Sequence, residues 1–146
     1  MEPAELLNSV AAQRAELRHG MGALEQALAA PAVRPTWAVR VYTALAELDH
    51  DLKVHVLVTE GEDGLYIRIL KDAPRLAAAV HRLTTEHQTM RTQIDDLLRA
   101  TMDGADVDVE GVRQAGTTLL ALIAHHRQTG GDLLYEAYES DIGGET

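Results

Sequence analysis

Between Pro74 and Thr101 the apolar residues Leu76, Val80, Leu83, Met90, Ile94 and Leu97 recur at steps of three and four, with one step doubled. That spacing builds one continuous stripe on a helix and requires neighbouring helices to cover it. The doubled step falls around position 87, where a histidine stands in place of the missing apolar residue. A helix that buries this stripe therefore carries the His87 imidazole into the core with it.

The other segments supply the neighbours. Residues 4 to 30 read as a helix with Leu6, Val10, Leu17, Met21, Leu24 and Leu28 on one face, interrupted by Gln13 and Arg14. Pro31 and Pro35 end it, and a second helix starts near Pro35-Thr36-Trp37, with Val41, Leu45, Leu48, Leu52 and His55 in line. The run Thr59-Glu60-Gly61-Glu62-Asp63-Gly64 perturbs that helix, Leu65–Leu70 resumes as a further turn or two, and Asp72-Ala73-Pro74 is a break. Read as a strand, Val54–Thr59 would have no partner. A fourth long helix is expected from about Val112 to Ser140, with Leu119, Leu122, Ile123, His126, Gly130, Leu133 and Ala137 facing inward and Asp141-Ile142-Gly143-Gly144 ending it. With 46% apolar residues and no Phe, the core rests on aliphatic side chains, the usual filling of packed helices. The expected fold is all-α, an up-down-up-down four-helix bundle forming one domain over residues 1–146.

Several function classes fall away. Absence of Cys excludes thiolate metal sites and Cys nucleophiles and agrees with a cytoplasmic setting. No apolar run approaches membrane-spanning length, and no signal peptide stands out. A formal charge of −10 argues against nucleic acid and anionic membranes as partners. The acidic stretch Asp103–Glu110 does not follow the calcium-loop register and reads as a solvated link.

The second, third and fourth long helices each place one histidine in the apolar stripe: His55, His87 and His126. Residues equally distant from an antiparallel turn share a height. The midpoint of 55 and 87 falls beside the Asp72-Ala73-Pro74 break, and that of 87 and 126 falls in the acidic link. At about 1.5 Å rise per residue the three rings share one level to within a turn. Three converging imidazoles are hard to satisfy with one another, because each neutral ring gives and receives one hydrogen bond. A metal resolves the conflict; a metal-free hydrogen-bond network is the alternative. Glu60, five residues past His55, needs a one-residue bulge to join the His face, whereas Glu62 needs none. Asp132 lies outside the fourth stripe unless Gly130-Gly131 lets it swing inward. Val10, Gln13 and Arg14 of the first helix face the same level; His19, His50 and His81 read as exposed, and His125 as a reserve candidate.

The pieces His55-Val-Leu-Val-Thr-Glu60, Glu86-His87 and His125-His126-Arg-Gln-Thr-Gly-Gly-Asp132 resemble the hemerythrin-like, HHE cation-binding family. Thr59-Glu60-Gly61 with Gly64-Leu65, Ala73-Pro74-Arg75-Leu76, and Tyr135-Glu136-Ala137-Tyr138 resemble a bacterial branch of it. The resemblance implies non-haem iron in the bundle core, mono- or dinuclear, with His55, Glu60, His87 and His126 as ligands and Asp132 as a further carboxylate. It implies a small diatomic or peroxide ligand and a role in sensing, detoxification or iron handling. The chain departs from the family where Gln13 and Arg14 replace a first-helix His, where Leu83 and Arg91 replace a second third-helix His, and where Thr59 and Gly130 or Gly131 replace acids. These departures leave open a single iron, zinc or other divalent cation on three His and a carboxylate, and also a metal-free interaction module. An enzyme using His and Glu as acid and base ranks last, since nothing marks a nucleophile or substrate cleft.

Overall fold

The computed structural model describes residues 3–33, 35–102 and 106–138. Four long helices, α1 (Pro3–Ala29), α2 (Thr36–Glu60), α4 (Ala77–Thr101) and α5 (Val109–Tyr138), run up, down, up and down. A short helix, α3 (Leu65–Asp72), and a 3₁₀ turn over Pro74–Leu76 join α2 to α4. Helix α1 packs on α2, α2 on α4, α4 on α5 and α5 back on α1, so the bundle closes. Among the described residues no helix is long and apolar enough to cross a membrane.

The apolar stripes meet in two compartments. One joins Leu17, Leu24, Leu45, Leu48, Leu52, Met90, Ile94, Leu119 and Ile123. The other joins Leu6, Val10, Leu65, Ile69, Val80, Leu83, Leu133 and Leu134. Each fully buried aliphatic side chain contributes about 1.5–3 kcal/mol, so these two layers hold the helices in register. Between them, at the height of Gln13, lies a polar layer of His55, His87 and His126.

Polar devices fix the ends. The Arg113 guanidinium of α5 donates from Nε to the Leu28 carbonyl and from Nη2 to that of Ala30, both at 3.0 Å, and stacks 5.3 Å above the Trp37 ring. It thereby satisfies carbonyls left open at the end of α1. Helix α5 starts three residues earlier than the apolar pattern predicts, because Asp108 caps it: Oδ1 accepts the Gly111 N–H at 3.0 Å. The expected solvated link is thus partly helix cap. Its positions 103–105, the end of the fourth helix at Ser140 and the Asp141–Gly144 break lie outside the described residues.

The largest departure from the pattern is at the end of α2. The helix stays α-helical to Glu60 without a bulge and stops, and Gly61–Gly64 turns the chain back on itself. The Gly64 N–H donates to the Gly61 carbonyl at 2.8 Å, and a Cβ on Gly64 would stand 2.8 Å from the Thr59 carbonyl oxygen. Only a residue without a side chain fits there. The turn delivers α3 as a separate helix whose Leu65, Tyr66 and Ile69 face inward and roof the polar layer.

Candidate metal centre

Each histidine reaches the centre because its helix was already committed to burying that face. His55 continues Leu45, Leu48 and Leu52; His87 follows Leu83 and precedes Met90; His126 follows Leu119 and Ile123. Burial is nearly complete, with His87 at 1% exposure and His126 at 2%. The three rings converge. Nε2 of His126 lies 3.2 Å from Nε2 of His55 and 3.1 Å from Nε2 of His87. One donor atom from each ring falls within 4.8 Å of the other two.

The opposite nitrogen of every ring is held by an oxygen. His55 Nδ1 lies 2.7 Å from Gln13 Oε1, His126 Nδ1 lies 2.7 Å from Glu86 Oε1, and His87 Nδ1 pairs with Glu60 Oε2. Gln13 cannot be turned round, since its Nε2 donates to the Asp51 carbonyl at 3.1 Å and leaves Oε1 for His55. A carboxylate or amide oxygen only accepts, so all three Nδ1 atoms carry the proton. All three Nε2 atoms then present lone pairs to one point.

Protonation does not relieve this crowding. Burial first, then the neighbouring His87 and His126 rings, pushes His55 down to about 2. His126 is lowered to about 4, chiefly by burial, with the hydrogen bond to Glu86 opposing. His87 is likewise lowered by burial against the pull of Glu60. Near neutral pH the rings are uncharged, and lone pairs face lone pairs. A shared cation fits: with metal–nitrogen bonds of about 2.0–2.1 Å, adjacent imidazole nitrogens on one ion stand roughly 3.0–3.4 Å apart. The 3.1 and 3.2 Å from His126 to the other two rings fall in that range, and the donor atoms of all three lie within 4.8 Å of one another.

The structure places the expected carboxylates differently from the histidines. Glu60 ends α2 about 140° round from His55, on the flank that faces α4, so its carboxylate meets Nδ1 of His87 on the next helix rather than the common centre. Glu62 is exposed in the turn. Asp132 is also exposed, because α5 continues as regular helix through Gly130 and Gly131 and leaves it on the outer face. His19, His50, His81 and His125 are exposed as well.

Two participants were not singled out by pattern. Glu86 sits one residue before His87, about 100° round the helix, which turns it to α5 and His126. Level alone would have found it, by the same reflection that paired the histidines. Tyr66 stacks on the His87 ring at 5.8 Å and 12°, its hydroxyl 3.5 Å from the same Nε2. A recess of about 20 Å³ adjoins His55 and His126, walled by Val10, Leu17, Leu65 and Leu133 with Tyr66 and Arg14. That is room for one water-sized occupant.

Searches of curated proteins and of solved structures returned no match. A family sequence model described as hemerythrin HHE cation binding domain matches residues 6–137, a span that includes every residue of the polar layer. The chain belongs to the hemerythrin HHE cation-binding family.

Proposed function

We propose that this protein binds a divalent transition-metal cation, non-haem iron in the first place and zinc in the second, through Nε2 of His55, His87 and His126. The observation that carries the reading is the threefold pinning of Nδ1, which turns three Nε2 lone pairs toward one another in a buried layer. Carboxylates and amides on the outer nitrogen of metal-bound imidazoles fix the tautomer and raise ligand basicity, and Glu60, Glu86 and Gln13 stand in that role. Imidazole suits both iron and zinc. Iron held this way supplies reversible binding and redox chemistry toward O2, NO or peroxide.

The protein's own contribution lies in what surrounds the ion. The recess, walled by aliphatic side chains together with Tyr66 and Arg14, has room for one small occupant, and the Tyr66 hydroxyl stands ready to donate a hydrogen bond to it. Sensing or handling of such a ligand is the role this geometry favours. A metal-free network would have to satisfy these lone pairs from other donors, such as the Tyr66 hydroxyl 3.5 Å from His87 Nε2.

Elemental analysis of untagged protein, prepared without chelator from iron- and zinc-supplied cells, tests the proposal beside a His87→Ala, His126→Ala variant. Stoichiometric iron or zinc in the parent and none in a still-helical variant is the expected result. A parent that stays empty through iron and zinc reconstitution would sink it.

A further inference from the structure

Arg14 follows Gln13 on α1 and is rotated about 100° from it, toward α5. Its Nη1 donates to the Arg127 carbonyl at 3.0 Å, one residue beyond His126. The side chain forms part of the wall of the recess beside the histidines, together with His55, Tyr66, His126 and Gly130. Under its guanidinium α5 presents Gly130 and Gly131, while Arg127 of the same helix lines the recess beside it. A Cβ on Gly131 would stand 3.4 Å from Arg14 Nη2, and one on Gly130 would stand 3.8 Å from Nη1. The guanidinium thus lies over the two glycines and occupies the space that a longer residue there would use.

We propose that Arg14 limits the centre to one cation per chain by setting a fixed positive charge in the recess beside the three Nε2 atoms. This inference rests on the metal-binding reading above and concerns how many ions that site accepts. The three imidazoles form one cluster, with Nε2 of His126 3.2 and 3.1 Å from those of His55 and His87. Oxygens that could serve a neighbouring ion are committed or remote. Glu60 and Glu86 are engaged on Nδ1 protons, Asp132 lies on the outer face, and no Asp or Glu among the described residues lines the recess. A second cation there would meet like charge at close range and no carboxylate ligand.

Cobalt(II) titration of the full untagged chain, followed by its visible absorption and by elemental analysis after desalting, counts the ions. The parent is expected to take up one equivalent. Arg14→Glu exchanges the repelling charge for a carboxylate and should admit a second. Arg14→Gln keeps a donor for the Arg127 carbonyl while removing the charge, and should tighten the first equivalent by about tenfold. Circular dichroism checks that each variant is helical; if Arg14→Glu fails to fold, the Arg14→Gln affinity decides. Two equivalents in the parent would overturn the inference and leave the metal reading standing. None in any of the three proteins would overturn both. One equivalent in Arg14→Glu, with Arg14→Gln binding as the parent does, would show that Arg14 does not set the number.

Discussion

Two groupings of imidazoles and carboxylates stand barely a turn of helix apart on α2, and they share residue types but not architecture. One is the buried layer of His55, His87 and His126 with Glu60 and Glu86. The other, where α1 and α2 meet solvent, joins Glu16, His19, Glu47, His50 and Asp51 around an open groove. Its charges feel one another: the Asp51 carboxyl is raised by partial burial and by Glu16, with His50 opposing. Yet among the described residues only the buried histidines form a group of three whose donor atoms all lie within 4.8 Å of one another. The difference is preorganisation. Packing fixes the buried rings and Nδ1 partners fix their tautomer, whereas the exposed side chains would lose rotamer freedom, up to roughly 1.5–2 kcal/mol for the longest, to converge on an ion.

The largest expected effect separates the two groupings directly. Zinc at a thousandfold excess over its dissociation constant stabilises a protein that binds it only when folded by about 4 kcal/mol, which for a chain of this size raises Tm by on the order of 10 °C. Thermal scans should show that shift in the parent and in His50→Ala, and not in His126→Ala. An equal shift in His126→Ala would place the ion elsewhere.

Acid sharpens the contrast without metal. His55 and His126 have folded-state values of about 2 and about 4, below their ordinary value of 6.5. The unfolded chain therefore binds protons that the folded chain refuses, and stability is full above the ordinary value and lost as pH falls below it. Between pH 7 and 5.5 two such groups cost roughly 2–3 kcal/mol. Urea unfolding of the metal-free protein at the two pH values should give a lower midpoint at pH 5.5 with an unchanged slope. Equal midpoints would mean that the rings are not held neutral, and the central difference between the groupings would disappear.

Next in size are the groups behind the rings. Removing the partner of a metal-bound imidazole typically costs 10- to 100-fold in metal affinity. Glu86→Ala should do so by freeing the His126 Nδ1, and Glu60→Ala by freeing that of His87. Competition with a colorimetric zinc chelator measures both. Affinities unchanged in the two variants would show that convergence of the rings suffices and that their orientation does not matter.

The legible part of this centre was the part written in periodicity. His55, His87 and His126 occupy positions that the aliphatic stripes had already turned inward, and Pro and Gly marked the turns well enough to give their common height. What periodicity does not carry is the identity of the neighbour that each flank meets. Glu60 and Glu86 lie off the stripe, and their use depends on the ring order of the helices, which places α4 beside α2 and α5 beside α4. Gln13 was visible as a residue at the right level, but its hydrogen bond to the Asp51 carbonyl, which orients it, involves backbone that sequence does not display. Tyr66 entered through the reversal at Gly61–Gly64. A pattern that resumes after a break says nothing about the direction in which it resumes.

The smallest expected effect probes the point where the two groupings touch. Asp51 belongs to the surface cluster by its carboxylate and to the centre by its carbonyl, which accepts the hydrogen bond that orients Gln13 toward His55. Asp51→Asn keeps the backbone and therefore the chain from Asp51 through Gln13 to His55. Because the folded-state value of Asp51 is raised, its ionised form is less favourable in the folded protein than in the unfolded one, and that penalty is present near neutral pH. The side chain is only partly buried and borders solvent, so screening shrinks the gain from removing its charge to about a few tenths of a kcal/mol. Asp51→Asn should thus raise the urea midpoint slightly at pH 7, leave it unchanged near pH 3, and alter zinc affinity by less than about twofold, within the range of surface substitutions. A tenfold loss of zinc affinity in this variant would mean that the carboxylate itself supports the centre, and the surface cluster would then have to be counted as part of it.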